Sequence, residues 1–414
     1  MSWLTAVEAL QVLQVRPQTL YANVSRKKIR AKPDPKDTRR SLYHEADVRK
    51  MARQQGGQRK ATAVAAAAIQ WGDPILPSAV STVVEGRLYY RGKDAVVLAE
   101  DWSVEAVAEL LWEVEGTAAG SGISNRDRVP ALREVLGSKG SDTASPLQRA
   151  FVALGLRAAT DLASYGRSLP ILQNDAASLL ITLADALLGE RSALPVARGR
   201  GAGRVSRVTR AVPEDVPLHE RVALSWGRRE AADIIRRTLV LLADHELNAS
   251  TFATRVAVST GAPLAAGVLS GLSALSGPLH GMASVGVLQL VGSVERVGAD
   301  ATVREWLSLG RPILGFGHPL YPLGDPRARA LLQRFSLPAE YAELRDIVER
   351  EIGEQPNVDF ALSALTRVYG LPRDAPLILF SLGRCMGWLA HALEQVTSGQ
   401  PIRPRAHYVG PAIS

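Results

Sequence analysis

Cysteine is almost absent from this sequence, and lysine is scarce outside the first 60 residues. Cys385 is the only cysteine among 414 residues, which excludes an intrachain disulfide and fits a reducing compartment. Uninterrupted apolar runs fall short of the ~18–20 residues that a membrane span needs. Glu8 and Gln11 interrupt the apolar pattern at the N-terminus, which argues against a secretory signal. We therefore predict a cytoplasmic protein without a membrane partner.

Positive charge is concentrated at one end of the chain. Residues 1–60 contain 14 Lys and Arg against 5 Asp and Glu, whereas the whole chain has a net charge of only +8. The remaining residues are therefore close to neutral. A chain of this length can form more than one folded unit. We interpret residues 1–60 as a basic module joined to a near-neutral body.

The pattern in the basic module predicts helix, turn, helix, basic hairpin, helix. The first helix spans residues 4–13 with Thr5 as a candidate N-cap, and Pro17 suits the first position of a second helix that ends at Ser25. Residues 39–43 form a predicted strand and residues 45–54 a third helix. This order is typical of a winged helix-turn-helix and resembles the N-terminal domain of the MerR/excisionase family of DNA-binding proteins.

The resemblance implies that duplex DNA is a partner of residues 1–60. The second helix supplies candidates for base edges, and its end and the hairpin supply candidates for phosphates. The base-edge candidates are Gln18, Thr19, Tyr21 and Asn23, and the phosphate candidates are Arg26, Lys27, Lys28, Arg39 and Arg40. The alternative is a small domain that only packs against the body or serves assembly.

Beyond residue 100 the periodicity is almost wholly helical. Strand-like alternation is confined to about residues 78–90, and residues 189–215, rich in Arg, Gly and Pro, are predicted to be an exposed connection. The clearest predicted helices are 104–114, 147–162, 175–188, 229–247, 360–368 and 376–396.

Three histidines and one aspartate lie in distinctive contexts in the C-terminal half. They are His245 in Asp-His-Glu-Leu-Asn-Ala-Ser-Thr, His280 in Gly-Pro-Leu-His-Gly, His318 in Gly-Phe-Gly-His-Pro, and Asp359 in Pro-Asn-Val-Asp-Phe. Flanking glycines allow close approach of a ligand, and imidazole and carboxylate groups exchange protons. Together with Tyr-Arg-Gly-Lys-Asp at 90–94, Asp-Pro-Arg-Ala at 325–328 and Arg-Pro-Arg at 403–405, these segments closely resemble the citrate synthase family over residues 66–412.

The resemblance implies a mainly α, two-lobed citrate synthase fold with the winged helix-turn-helix domain appended. The large lobe would span residues 61–290 and 382–414, and the small lobe residues 291–381. It also implies a homodimer that condenses acetyl-CoA with oxaloacetate and hydrolyses the citryl thioester. No cofactor is implied, because the CoA thioester is itself a substrate.

Each role carried over from the family has a simpler structural alternative. Asp359 matches the base, but Asn357 or Asp359 is also suited to cap the following helix. His280 matches the group that stabilises the enol, and otherwise it is a loop histidine bonded to a carbonyl. His318 matches the group that polarises the ketone. His245 matches an oxaloacetate ligand, although a lone histidine near an apolar helix is more often a core residue.

The remaining matches concern carboxylates and CoA. Arginine presents a planar fork that binds a carboxylate with two hydrogen bonds. Arg327, Arg384 and Arg403 match the oxaloacetate-binding arginines, with Arg403 contributed across the dimer interface. Gly315, Phe316 and Gly317 match CoA-binding positions. No spacing resembles a metal site.

The sequence departs from the usual family pattern at two places, and two other functions stay open. Residues 282–284 are Met-Ala-Ser where Gly-Ala-Asn is common, and residues 319–322 are Pro-Leu-Tyr-Pro where Arg-Val-Tyr-Lys is common. One alternative is a 2-methylcitrate synthase that uses propionyl-CoA. The other is a DNA-binding regulator that senses a metabolite with the same fold, against which the intact His280, His318 and Asp359 argue.

Overall fold

The computed structural model describes residues 3–13, 17–25, 28–35, 40–49, 51, 76–114, 144–189, 193–195, 209–211, 216–404 and 410. The chain divides into two compact units. The small unit combines Met1–Pro77 with Ala283–Gly370, and the large unit combines Ser78–Met282 with Leu371–Ser414.

Helices dominate both units, as the periodicity predicts. They are α1 Ala6–Leu13, α2 Pro17–Ser25, α3 Ala95–Asp101, α4 Val104–Trp112, α5 Pro146–Thr160, α6 Leu169–Leu188, α7 Leu218–Ser225, α8 Ala232–Leu242, α9 Ala249–Val258, α10 Leu264–Leu275, α11 Ala283–Val297, α12 Ala299–Ser308, α13 Pro326–Leu332, α14 Ala339–Ile352, α15 Val358–Val368 and α16 Ala375–Ser398. The strands are β1 Trp3–Leu4, β2 Ala31–Pro33, β3 Ser41–His44, β4 Ser81–Val84, β5 Arg87–Tyr90, β6 Lys93–Asp94, β7 Ala193–Pro195 and β8 Thr209–Ala211.

The N-terminal segment contains the predicted helices and a small sheet. Thr5 Oγ1 accepts from the Glu8 N–H at 3.3 Å while Glu8 Oε2 accepts from the Thr5 N–H at 2.8 Å, a reciprocal cap that starts α1. The sheet is antiparallel in the order β1-β3-β2, and residues 45–49 are helical. Arg26, Lys27, Arg39 and the side chain of Gln18 lie outside the described residues. The winged helix-turn-helix assignment stays a prediction.

The structure corrects the assignment of Tyr21 to base edges. Helix α2 packs against α12, and α1 packs against α14. The ring of Tyr21 packs against the core of the small unit, and its hydroxyl donates to the Glu351 carbonyl at 2.8 Å. A side chain held in this way does not reach into a groove of DNA. Tyr21 instead anchors the N-terminal segment to the small unit, which supports the packing alternative for this residue.

The rest of the small unit is a helical core built on α11, α12, α14 and α15. Its buried centre includes Val287, Leu290, Tyr341 and Phe360. Because α11 contributes Val287 and Leu290 to this core, the second segment of the unit begins at Ala283 and not at the predicted residue 291. At the other end the predicted boundary cuts through α16, which is one unbroken helix of 24 residues in the large unit.

In the large unit, α16 is the central helix. Among the residues that the structure describes, two helices, α6 and α16, are long and apolar enough to cross a membrane by length and composition alone, but the apolar window of α16 is 100% buried inside the structure. This burial makes α16 a core helix. The β4–β5 hairpin turns at Glu85 and Gly86, both with positive φ, and confirms the predicted strands. Strands β7 and β8 pair antiparallel within the segment 189–215, and the exposure predicted for this connection stays a prediction.

Candidate active site

His280 lies in a tight turn that follows α10. The Gly281 N–H donates to the Leu275 carbonyl at 2.9 Å, and a Cβ at Gly281 would lie 2.8 Å from that same oxygen. Only glycine therefore fits this position. The turn brings His280 Nε2 to 2.9 Å from Ser250 Oγ, near the start of α9.

Ser250 lies against one ring nitrogen of His280 and can select its tautomer. Asn248 caps α9, and its Oδ1 accepts from two backbone N–H groups and from Ser250 Oγ at 2.7 Å. The Trp388 Nε1–H donates to Ser250 Oγ at 3.1 Å. The single hydroxyl proton thus has two acceptors within reach, Asn248 Oδ1 and His280 Nε2. When it turns to Nε2, the neutral imidazole carries its proton on Nδ1.

His280 is neutral at physiological pH. Burial and, to a lesser degree, the positive charge of Arg384 together lower the pKa of its imidazole to about 4. Phe380 lies between the two groups: its ring meets the imidazole edge-on with centroids 5.8 Å apart, and the Arg384 guanidinium lies 5.1 Å from its centroid. A neutral imidazole in this setting is a hydrogen-bond donor without a charge.

His245 lies in a turn and not in a helix. The helix predicted over residues 229–247 corresponds to α8, which follows one 3-10 turn at Arg229–Ala231 and ends at Leu242. The turn is fixed by Glu246, which has φ of +52° and whose Oε1 accepts from the Val83 N–H at 2.7 Å. Buried His245 and buried Arg384, whose Nε donates to the Leu242 carbonyl at 3.1 Å, therefore belong to the same region of the large unit.

His318 in the small unit has a defined tautomer. The Leu320 N–H donates to His318 Nδ1 at 3.1 Å, so a neutral ring carries its proton on Nε2. Its ring tilts onto Tyr321 with centroids 4.9 Å apart. The geometry presents Nε2–H as a donor.

Arg327 is buried and held by Asp325. Its Nε and Nη2 donate to the two carboxylate oxygens of Asp325 at 2.9 and 2.8 Å. Asp325 also accepts from the Val358 N–H at 3.1 Å, at the start of α15. Burial raises the pKa of Asp325, but Arg327 outweighs it and the net shift is downward. Asp325 therefore joins the guanidinium to the helix that carries Asp359.

The cap of α15 is Asn357, and this leaves Asp359 in the first turn. Asn357 Oδ1 accepts from the Asp359 N–H at 3.0 Å, so the capping function does not require the Asp359 carboxylate. Oδ1 of Asp359 is shielded from solvent. The alternative in which Asp359 is the cap is thereby excluded, and a role as base stays a prediction.

The glycines before His318 have a packing role of their own. Gly315 and Gly317 have φ of +87° and +68°, and a Cβ would lie 2.8 Å from Val287 or from Glu354 respectively. The Gly317 N–H donates to the Gln355 carbonyl at 2.9 Å. Contact of Gly315, Phe316 and Gly317 with CoA stays a prediction. Arg403 is exposed in the segment after α16, and among the described residues no cluster suited to a metal ion is found.

Comparison with known proteins identifies the family. The chain matches the family model described as "Citrate synthase, C-terminal domain" over residues 70–405. It is 31% identical over 361 residues to citrate synthase 2 of Bacillus subtilis, covering 81% of this chain and 93% of that protein.

The chain belongs to the citrate synthase family.

Solved citrate synthase structures agree with the fold. The crystal structure of the Thermotoga maritima citrate synthase superposes with a TM-score of 0.66 at 27% identity, covering 83% of this chain and 95% of that one. A citrate synthase of Thermoplasma acidophilum, solved with carboxymethyl coenzyme A and oxaloacetate, gives 0.64 at 22% identity and 84% and 97% coverage, and it speaks for the fold alone.

Relatives of this citrate synthase-like enzyme differ in named activity. A 2-methylcitrate synthase 2 of Corynebacterium glutamicum is 32% identical over 185 residues, 42% of this chain and 48% of that protein. Family membership therefore supports an enzyme of the citrate synthase type and leaves the acyl group to be determined.

Sequence reasoning missed several residues that hold the candidate site. Ser250, Asp244, Asp325 and His391 all bond to candidate residues or their turns. Asp244 and Ser250 lie inside the sequence motif that contains His245, and Asp325 lies inside the motif that contains Arg327. His391 had no such signal, because it lies in the middle of a long apolar helix.

Proposed function

We propose that the protein condenses acetyl-CoA with oxaloacetate and hydrolyses the citryl thioester, releasing citrate and CoA. The observation that carries the proposal is a neutral His280 whose Nε2 contacts Ser250. Forming an enol from a thioester requires a donor at the developing oxygen, and a neutral imidazole supplies one without adding a buried charge.

The chemistry divides among three residues. Asp359 removes a proton from the carbon next to the thioester, and the electron pair moves onto the thioester oxygen. His280 donates a hydrogen bond from Nδ1 to that oxygen, which requires the Ser250 hydroxyl to donate to Nε2. The enol carbon then attacks the ketone carbon of oxaloacetate, the electron pair on the former enol oxygen restores the thioester carbonyl, and His318 gives its Nε2 proton to the ketone oxygen, which becomes the hydroxyl of the citryl thioester. Water finally cleaves the thioester, and CoA leaves as the thiol.

Fixed cations bind the two carboxylates of oxaloacetate in this proposal. Arg327 supplies a fork whose orientation Asp325 maintains, and Arg384 supplies a second in the buried interior of the large unit. His245 adds a donor near Arg384. We further propose that the protein is a homodimer and that Arg403 serves the site of the other subunit.

Release of CoA from purified protein tests the proposal. Free thiol is followed with a thiol reagent after acetyl-CoA and oxaloacetate are mixed. Cys385 is buried, so the native protein adds little background. Asp359→Asn is the control, because it keeps the shape, removes the base and is expected to lower kcat by ~10²–10⁴. Absence of CoA release by the wild type, or a wild-type kcat in Asp359→Asn, would contradict the proposal.

The same assay decides the acyl group. Acetyl-CoA is expected to give the higher kcat/KM. One methylene in an apolar pocket changes selectivity by only ~1–3 kcal/mol, so both thioesters must be measured side by side. A preference for propionyl-CoA would identify a 2-methylcitrate synthase, the activity named for the Corynebacterium glutamicum relative.

A further inference from the structure

One face of α16 contacts the His245 turn residue by residue. Arg384 Nε donates to the Leu242 carbonyl at 3.1 Å, and the Gly387 N–H donates to the Ala243 carbonyl at 2.9 Å. His391 Nε2 lies 3.1 Å from Asp244 Oδ2. Positions 384, 387 and 391 share one face of a helix because they are three and four residues apart. Helix α16 therefore contacts Leu242, Ala243 and Asp244 in order along one face.

Asp244 is the charged member of this contact, and it is fully buried together with His391. Ser81 donates its hydroxyl to the same Oδ2, and Ser81 Oγ accepts from the Glu246 N–H at 3.0 Å. The carboxylate thus joins β4, the turn and α16. Its Oδ1 lies so close to α16 that a Cβ at Gly387 would be 2.3 Å away.

The surroundings of Asp244 favour its charged form. Burial raises the pKa of its carboxyl, but His391 and Arg384 outweigh burial and the net shift is downward. A buried charge is costly unless other charges and hydrogen bonds compensate for it. Neither the sheet nor the helix requires a carboxylate here for its own hydrogen bonds. The free-energy cost of burying this charge is explained if the carboxylate orients the neighbouring Arg384 and His245.

We propose that Asp244, together with His391, is a positioning residue that holds His245 in register with Arg384 for binding the dicarboxylate. The inference rests on the proposed function, since it assumes that His245 and Arg384 bind oxaloacetate. Asp244 itself acts through the turn and the helix and is not a substrate ligand.

The test is Asp244→Asn, which preserves shape and removes charge. The expected result is a KM for oxaloacetate raised roughly 10- to 100-fold, in line with loss of a charged partner in a buried network, while the KM for acetyl-CoA stays within about twofold. Calorimetry with oxaloacetate alone should show the same loss of affinity. The matched control is Asp161→Asn, the same substitution in the Arg157–Asp161 ion pair at the C-terminal end of α5, for which both KM values are expected to be unchanged.

Ser81→Ala keeps the test decisive if Asp244→Asn does not fold. It removes one hydrogen bond to the same carboxylate oxygen and the acceptor of the Glu246 N–H, and the KM for oxaloacetate should rise by about two- to fivefold. Equal changes in both KM values, or a lowered Tm with unchanged oxaloacetate binding, would overturn the inference. A wild type that binds oxaloacetate but releases no CoA would refute the proposed function alone, because the calorimetric comparison still applies. A wild type that does not bind oxaloacetate would refute both.

Discussion

Removing the Ser250 hydroxyl is expected to impair catalysis more than its size suggests. This one oxygen lies 2.9 Å from His280 Nε2 and 2.7 Å from Asn248 Oδ1, the two acceptors for its proton, and it accepts from the Trp388 Nε1–H at 3.1 Å. Ser250→Ala leaves the capping of α9 by Asn248 intact, because two backbone N–H groups still donate to it. It deprives the ring of His280 and the indole of Trp388 of their shared partner.

The magnitude follows from the number of groups left unsatisfied. Each buried polar group without a partner costs ~1–3 kcal/mol, so two of them predict a loss of about 2–6 kcal/mol of stability. The catalytic effect comes from the tautomer, which the hydroxyl no longer fixes. We expect kcat to fall ~10–100-fold, a part of the ~10²–10⁴ that loss of a whole acid–base group causes. The KM for oxaloacetate should change little.

Steady-state kinetics and thermal unfolding measure the two effects separately. Ser363→Ala is the matched control: Ser363 is also fully buried, and its Oγ lies 2.8 Å from the Tyr341 hydroxyl in the small unit. It should lose stability without losing kcat. A Ser250→Ala enzyme that unfolds earlier but turns over at the wild-type rate would refute the assigned link between Ser250 and His280.

Four further predictions concern binding, protonation, assembly and DNA. Arg327→Lys keeps charge but loses the fork, so the KM for oxaloacetate should rise while that for acetyl-CoA does not; the reverse pattern would show that the residue is misassigned. The pKa of His280 lies near 4 in the folded protein instead of its ordinary 6.5. Burial of the neutral imidazole therefore contributes fully to stability above pH 6.5, and this contribution is lost as the pH falls towards 4. The Tm of His280→Asn should depend less on pH between 4 and 6.5 than that of the wild type, and equal slopes would contradict this. Coexpressed Asp359→Asn and Arg403→Ala chains should regain about a quarter of wild-type activity if Arg403 serves the other subunit, and no recovery would place it in its own site. Residues 1–60 are expected to bind duplex DNA with a strong salt dependence, and Arg40→Ala should reduce the log–log slope by ~0.9; no binding by the wild type at low salt would reject a DNA role.

The sequence predicted helix positions well wherever local signals mark the ends. Pro17 starts α2 at the expected residue, and the Thr5–Glu8 cap starts α1. The end of α8 was missed, because apolar residues continue to Leu242 and no glycine or proline marks the stop before the His245 turn. That stop is imposed by Glu246 and its long-range bond to Val83, which no local pattern contains.

The sequence predicts which residues are candidates for the site, but not which residues hold them in place. His280, His318 and Asp359 stand out because their contexts are distinctive. Their partners depend on contacts between residues far apart in sequence: 30 residues separate Ser250 from His280, and 147 separate Asp244 from His391. The packing of Tyr21 in the small unit could not be predicted for the same reason, since a tyrosine on an amphipathic helix suits a DNA groove and a protein core equally.

The anchor of Tyr21 has a consequence for the order in which the protein is synthesised. Its hydroxyl meets the carbonyl of Glu351, 330 residues further along the chain. At ~5–20 residues/s, a ribosome completes that partner on the order of 15–65 s after Tyr21 has been made. The nascent α2 gains its partner helix α12 only when residues 299–308 have been made, and the Tyr21 hydroxyl gains its acceptor later still. Tyr21 is thus made long before the residue that completes its final hydrogen bond.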